Sequence, residues 1–334
     1  MTTGIYTLAN DVVYDQLIAI LNSIEVNLGP DFPVCVIPYD DRLNKIIPEI
    51  QNRKNVQLLD NQEILSRWED FSTKIWESHP NAFARWQEKG VSGVNRMGMH
   101  RRFCSFDLES PFERFIFLDA DILVLNSFDY LFEKIDGNDA VVYDFQYKDP
   151  THVYNVNSPK LLEIFSKERI ESEIFCAGLY GSKKDLFPEE KRNWLLEKLN
   201  SGESEILYLN GPDQSIINYM MMRSQASIYN FALHLPPEQK TGCSVTSPHF
   251  EYRDNLLYDK GVRLTYLHYI GVSSKVFTRV CAGENLDFPY RDIFLHYRYL
   301  HEPEKRPKFT GKPIPYKNTP NLFQRIFKKL KFMQ

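Results

Sequence analysis

The 334-residue sequence predicts an α/β fold built on a mostly parallel sheet, and three observations carry that expectation. Residues 4–59 alternate short apolar runs with amphipathic stretches in the order β-α-β-α-β, which right-handed crossovers gather into a parallel sheet. Phe115–Leu125 is a long apolar run bounded by polar residues, as in a strand buried on both faces. The composition, 43% hydrophobic and 25% charged, is that of an ordinary globular chain long enough for one large α/β domain with additions.

Taken in order, Gly4–Ala9 reads as the first strand and about Val12 to Leu28 as a helix with Leu17, Ile18, Leu21 and Ile24 on one face. Pro33–Pro38 is the second strand; a helix then runs toward Arg53, and Val56–Leu59 is the third strand. Residues 61–93 hold Trp68, Trp76 and Trp86 and read as helical, and a helix from about Asn95 to Leu108 leads into Phe115–Leu125. Ala140–Asp144, Phe175–Tyr180, Ser227–Leu233 and Arg263–Leu267 are later strand candidates, with helices over Glu189–Leu199 and Asp213–Met222. Residues 302–320, with five prolines, read as an extended strap. After it Leu322, Phe323, Ile326, Phe327 and Leu330 form one face of a short helix, with Arg325, Lys328 and Lys329 on its polar side.

Composition narrows the function. No run approaches the ~20 apolar residues of a membrane span, and a strand begins almost at the N-terminus, so no signal peptide is expected. Five scattered cysteines with no C-x-x-C pair fit a reduced cytoplasmic compartment and not structural zinc. Net charge is −4, unevenly placed: residues 301–334 carry nine basic and two acidic residues, leaving 31 basic and 42 acidic in the remainder. An acidic body does not suit nucleic acid, whereas a basic tail suits an anionic surface. That surface is expected to be the inner face of a cell membrane, with the protein peripheral on it. The aromatic content, 14%, suits stacking on sugars or bases as well as a large core.

The chemistry is concentrated in a few short motifs. Asp119 and Asp121 interrupt the apolar run one residue apart. Buried carboxylates are costly unless paired, hydrogen-bonded or bound to a cation, and ligands of open α/β sheets sit at the carboxyl ends of strands. A divalent ion bridging a diphosphate would offset both charges; the plainer reading is a strand end entering a turn. At the first strand's end, Thr7–Tyr14 opens a helix whose N–H groups can meet an anion and where Tyr14 can stack on a base, or where Asn10 or Asp11 is simply a cap. Asn210-Gly-Pro-Asp213-Gln214 delivers two polar side chains to a helix start, where an N-cap aspartate is the usual role. Leu267-His268-Tyr-Ile-Gly271-Val-Ser-Ser-Lys275 offers an imidazole, a close backbone approach and a cation at short spacing.

Together these elements resemble the family 8 glycosyltransferases, the group of glycogenin and the bacterial lipooligosaccharide galactosyltransferases. The matching elements run in chain order from Thr7–Tyr14 through Arg102, Leu118–Val124, Asp144, Ala177-Gly178 and Asp213-Gln214 to His268–Lys275, covering about residues 4–280. The resemblance implies a GT-A fold: a Rossmann-like mixed, mostly parallel sheet flanked by helices, spanning residues 1–285, with a C-terminal extension over 286–334. It implies Mn²⁺ (or Mg²⁺) dependence, a nucleotide-sugar donor, usually a UDP-sugar, and transfer with retention to a glycan or lipid-linked acceptor. By it Asp119, Asp121 and His268 would bind the metal; Thr7 and Tyr14 the uridine; Gly271 and Lys275 the diphosphate. Arg102 falls where the family places a basic donor contact, with Arg101 one residue away, and Asp144, Asp213 and Gln214 would line the sugar pocket beside Ala177 and Gly178. Asp213 is the nucleophile candidate by motif; the donor's β-phosphate acting as base on the same face is the other route to retention.

The chain departs from the family at Cys176-Ala177-Gly178, where Asn-Ala-Gly is common. A thiol is a poor substitute for a carboxamide, which leaves the donor hexose open. Other readings of the same residues are an inverting GT-A transferase, a nucleotidyltransferase and a degenerate nucleotide-sugar-binding protein. A nucleotidyltransferase is disfavoured because residues 4–14 hold one glycine where a phosphate loop needs several.

Overall fold

A computed structural model describes residues 2–317. The basic helix expected beyond the strap lies outside the described residues.

The central sheet is built from β1 (Thr3–Ala9), β2 (Val34–Pro38), β3 (Val56–Leu58), β4 (Arg114–Asp119), β6 (Ala140–Val142), β7 (Leu179–Lys183) and β8 (Ile228–Asn230). Its order is β3-β2-β1-β4-β7-β6-β8. The pairings β1·β2, β1·β4, β2·β3 and β6·β8 are parallel, whereas β7 runs antiparallel to both its neighbours. The sheet is therefore mixed and mostly parallel, flanked by helices, and the carboxyl ends of β1 and β4 open on one side.

Alternation along β1 and β4 explains the two layers. Tyr6 and Leu8 of β1 and Phe115 and Phe117 of β4 face one core, together with Trp68 and Trp76 of α3 (Gln62–Glu77) and Trp86 of α4 (Ala82–Glu88). Ile5, Ala9, Ile116 and Leu118 face the other, against Leu17, Ile20 and Leu21 of α1 (Tyr14–Leu28). A strand so placed has no polar face, as the apolar run required. A third cluster joins Leu123, Leu125, Leu267 and Tyr269 to Leu286, Phe288, Phe294 and Tyr297. Residues 286–299 thus pack on the back of α1, where Asn22 Nδ2 donates to the Tyr297 carbonyl at 2.7 Å. In the strap, Ile314–Pro315 pairs in parallel with Leu286–Asp287.

Several expected elements differ, each for a local reason. Phe115–Leu125 is not one strand: β4 ends at Asp119, Ala120–Asp121 turn out of the sheet, and β5 (Ile122–Val124) pairs antiparallel with Tyr266–His268. The helix expected over 95–108 is one α-turn, Met97–His100, followed by a 3₁₀ segment, Arg101–Phe106. Residues 102–106 are all buried, so no polar face sustains an α-helical period there. The strand expected from Phe175 starts only at Leu179, because the backbone N–H groups of 175–177 are taken by side chains of Asn218, Asp144 and Gln214. β8 stops at Asn230, whose carboxamide accepts the Ala232 N–H and starts the turn Phe231–His234.

Candidate metal and donor-binding site

The split of the apolar run builds the site. Leaving β4 at Asp119, the backbone enters β5, and β5 draws in the strand Tyr266–His268 with His268 opposite Ile122. Two further bonds fix the register: Tyr269 N–H donates to the Asp121 carbonyl at 2.9 Å and Asp119 N–H to the Gly178 carbonyl at 2.8 Å. The result is that ligand atoms of Asp119, Asp121 and His268 all lie within 4.8 Å of one another. His268 Nε2 stands 3.2 Å from Asp121 Oδ1.

Electrostatics hold this cluster tight. Burial raises the Asp119 carboxyl above its ordinary range against the pull of Arg102, and Asp121 adds to the rise. Burial opposes charging of His268, but the Asp121 carboxylate outweighs it and pushes the imidazole well above its usual value. Two carboxylates and an imidazole form a donor set suited to Mn²⁺ or a similar divalent ion, to which the histidine would bind neutral. Gly178 fits against the cluster: a Cβ there would lie 2.5 Å from His268 Cε1 and 3.3 Å from Asp119 Oδ2. Only glycine lets the 176–178 segment approach so closely.

Arg102, not Arg101, reaches the acidic pair. It is buried, with Nη2 donating to Asp119 Oδ1 at 2.9 Å and standing 3.1 Å from Asp213 Oδ2; Arg101 turns away to Glu69. Asp213 is not an N-cap. Gly211, which has no side chain to offer, occupies the cap position of the helix Pro212–Arg223. Burial would raise the Asp213 carboxyl, yet Arg102, with His100 and Arg96 behind it, holds it below its ordinary value. Gln214 is fixed at both ends, accepting the Ala177 N–H and donating to the His152 carbonyl.

Two cavities meet at the acidic pair. The first, about 360 Å³, is lined by Leu8, Asn10, Tyr39 and Arg42 on one side and Val272 and Ser274 on the other. The second, about 420 Å³, is lined by Ala177, Gly178, Asp213, Gln214, His268 and Gly271. Asp119, Asp121, Arg96 and Met99 line both.

Some expected contacts lie elsewhere. Thr7 is wholly buried on the Ile5 and Ala9 face of β1 and lines neither cavity; the period of two turns it away from the opening that Leu8 reaches. Tyr14 lines a separate depression with Asp15 and Lys45, the Arg298 guanidinium 5.7 Å above its ring, because it starts α1 one turn beyond the strand end. Asp144 stands behind the cavity wall, buried, accepting the N–H groups of Gln146 and Cys176, which do line it. Lys275 is exposed on the first turn of the helix Ser274–Cys281 and reaches neither cavity. Gly271, with φ +76°, shapes the turn between His268 and that helix.

Sequence reading missed Tyr39 and Arg96. Tyr39 directly follows the second strand, parallel to the first, where the rule for strand carboxyl ends would have found it. Arg96 carried no signal: it lines both cavities from a left-handed backbone conformation, φ 57°, which nothing in its neighbours announces.

No protein-family profile matches this chain, nor does any curated protein. Solved structures do. The bifunctional glycosyltransferase WbbM matches with a TM-score of 0.53 at 14% identity, over 92% of this chain and 52% of that one. The galactosyltransferase LgtC, solved with donor and acceptor sugar analogues, gives a TM-score of 0.47 at 14% identity over 83% and 94%. Mouse xyloside xylosyltransferase 1 gives 0.48 at 12% identity over 69% and 85%. This chain spans about half the length of WbbM, and the fold it shares with that glycosyltransferase is the GT-A fold.

Proposed function

We propose that this chain is a divalent-cation-dependent glycosyltransferase that moves a hexose from a nucleoside diphosphate sugar, a UDP-sugar by preference, to a glycan or lipid-linked acceptor with retention. The observation that carries this reading is the cluster of Asp119, Asp121 and His268 at the junction of two cavities. A diphosphate at that junction would put its nucleoside in the cavity of Asn10 and Tyr39, and its sugar in the cavity of Asp213 and Gln214. A bound Mn²⁺ would supply positive charge against the negative charge growing on the departing diphosphate. Arg96, which lines both cavities, and Gly271 on the turn after His268 would contact the same phosphates; Lys275, outside both cavities, would not.

The roles of the sugar-side residues follow from their partners. Asp213 is ionised and held by Arg102, so its carboxylate is a weak nucleophile and better suited to stabilising a positive anomeric centre. Gln214 has both amide atoms engaged and would orient rather than react. Attack from the leaving-group face, with the departing phosphate taking the acceptor's proton, is therefore the route to retention proposed here. The basic C-terminal tail would add attraction to an anionic membrane surface.

Calorimetry tests the reading directly. UDP is expected to bind in Mn²⁺ and to lose at least about tenfold in affinity in chelator, and UDP release from a panel of UDP-sugars should likewise need the cation. Asp121→Ala and His268→Ala should each abolish both effects while leaving the melting temperature near that of the parent. Equal UDP affinity with and without chelator rejects the metal assignment.

A further inference from the structure

We infer that the groove between the tryptophan-bearing helices and the loops at 155–159 and 205–210 binds an oligosaccharide, the acceptor chain of the transfer; the inference rests on the function proposed above. The groove is a cavity of about 460 Å³, within the ~300–1,000 Å³ common for ligand pockets. It is not the cavity of the acidic pair but adjoins the one proposed for the sugar, since Tyr208 and Asn210 line both.

Its chemistry is that of sugar recognition. Four asparagines line it: Asn155 and Asn210 have both amide atoms engaged within the wall, while the exposed Asn81 and Asn157 present carboxamides that both donate and accept, as a sugar hydroxyl requires. Tyr208 offers a half-buried ring beside these amides, stacked at 20° on His152. His79 accepts the Asn81 N–H at Nδ1, which leaves its proton on Nε2 as a donor. Burial, with Arg85 nearby, takes the ring down to about 4 and so keeps it neutral. The Ser158 hydroxyl, also in the wall, is buried with no hydrogen-bond partner among the described residues. Glu205, the acid of the wall, is already paired with Lys160 at 2.6 Å. The lining therefore has the means to bind a hydroxylated chain and no carboxylate pair for a metal.

The groove is also fastened to the proposed reaction centre. Trp86 Nε1 donates to the Leu209 carbonyl at 3.1 Å, Asn95 Nδ2 to the same oxygen at 3.4 Å, and Lys89 Nζ to Asn210 Oδ1 at 3.0 Å. Tyr208 N–H donates to Ser215 Oγ at 2.9 Å, on the helix that carries Asp213 and Gln214. A chain seated in the groove is thus held at a fixed distance from those two residues.

Saturation-transfer NMR with a panel of oligosaccharides tests this: lactose, maltotriose, cellotriose, chitotriose and an acidic trisaccharide, at millimolar concentration. At least one should bind the parent protein, and the neutral and acidic members should show which kind is preferred. Asn157→Trp and, independently, Asn81→Trp, both at exposed positions, should weaken that binding at least about tenfold while leaving UDP affinity in Mn²⁺ unchanged. Absence of binding by every sugar, or equal binding by parent and both variants, overturns the groove assignment. A parent that binds a sugar in the groove but does not bind UDP keeps the groove and removes the donor reading instead.

Discussion

Arg102, Asp213, Gly178 and Asp144 set the properties of the site one residue at a time. Gly178→Ala places a Cβ against the imidazole of His268, so the ring must leave the acidic pair. The expected outcome in calorimetry is loss of the cation-dependent part of UDP affinity, at least about tenfold, with binding in chelator retained. Asp213→Asn removes the charge beside Arg102 and keeps the shape of the side chain. Because Arg102 keeps Asp119, the loss of stability should fall short of the ~3–5 kcal/mol seen when a buried charge is fully orphaned, while turnover falls far more; near-parental turnover would return Asp213 to a structural part. Asp144 gives a pH signature. Burial raises its carboxyl from 3.8 to about 7 in the folded chain, against its two backbone donors. The folded state then holds the proton more firmly than the unfolded one, so this group's contribution to stability falls as pH rises from about 4 to about 7. Denaturant titrations should show the parent losing ground to Asp144→Asn across that window, by roughly 4 kcal/mol at most; parallel profiles exclude it. The polar residues legible in the sequence were those that break an apolar run, as Asp119 and Asp121 do, or stand at the end of a readable element, as Gln214 and His268 do. Which way Thr7 or Tyr14 faces depends on one residue of register and one turn of helix, and neither is written in the motif.

At the level of elements, the apolar runs and helical periods predicted the order of the sheet's first half and the helices around it, because burial on both faces leaves no other pattern. What escaped was where runs stop. The turn at Ala120–Asp121 and the irregular backbone at 175–178 are decided by partners far along the chain: Tyr266–His268 for the first, Asn218, Asp144 and Gln214 for the second. Those interruptions are where the candidate site lies. The antiparallel insertion of β7 was likewise not readable from local pattern, since a buried strand looks the same in either direction. The segment 61–93 reads as helical, either acceptor or lid architecture or a plain helical addition to the core, and its packing shows how it joins that core. Trp68 and Trp76 fill the core beneath α3, and Trp86 ties α4 to the loop ahead of Asp213 through Leu209. Trp86→Phe keeps most of the packing but leaves that carbonyl short of its indole donor. The variant should melt slightly lower, by about 1 kcal/mol of stability, and show a raised acceptor KM with UDP affinity in Mn²⁺ unchanged. A fall in UDP affinity equal to the loss of turnover would mean that the helix supports the donor side instead.

Across the whole molecule, charge is divided so that the two ends of the chain would respond oppositely to an anionic surface. Residues 1–300 carry 31 basic and 42 acidic residues and are repelled; residues 301–334, with nine basic and two acidic, are attracted. No helix among the described residues is long and apolar enough to cross a membrane. Attraction of ~1 kcal/mol for each basic residue near a bilayer, joined to the apolar residues Leu322, Phe323, Ile326, Phe327 and Leu330, would be enough to bring an acidic body to anionic lipid at low salt. Such attachment would bring the groove beside the Asp213 cavity to lipid-linked chains and raise their local concentration without any change at the cluster of Asp119, Asp121 and His268. Removing residues 320–334 should therefore abolish sedimentation with phosphatidylserine vesicles while leaving cation-dependent UDP binding as it was. Salt should weaken the full-length interaction steeply and leave the truncated protein indifferent. If the shortened chain unfolds, or the full-length chain ignores such vesicles at low ionic strength, the tail belongs to the fold and the surface it serves is its own.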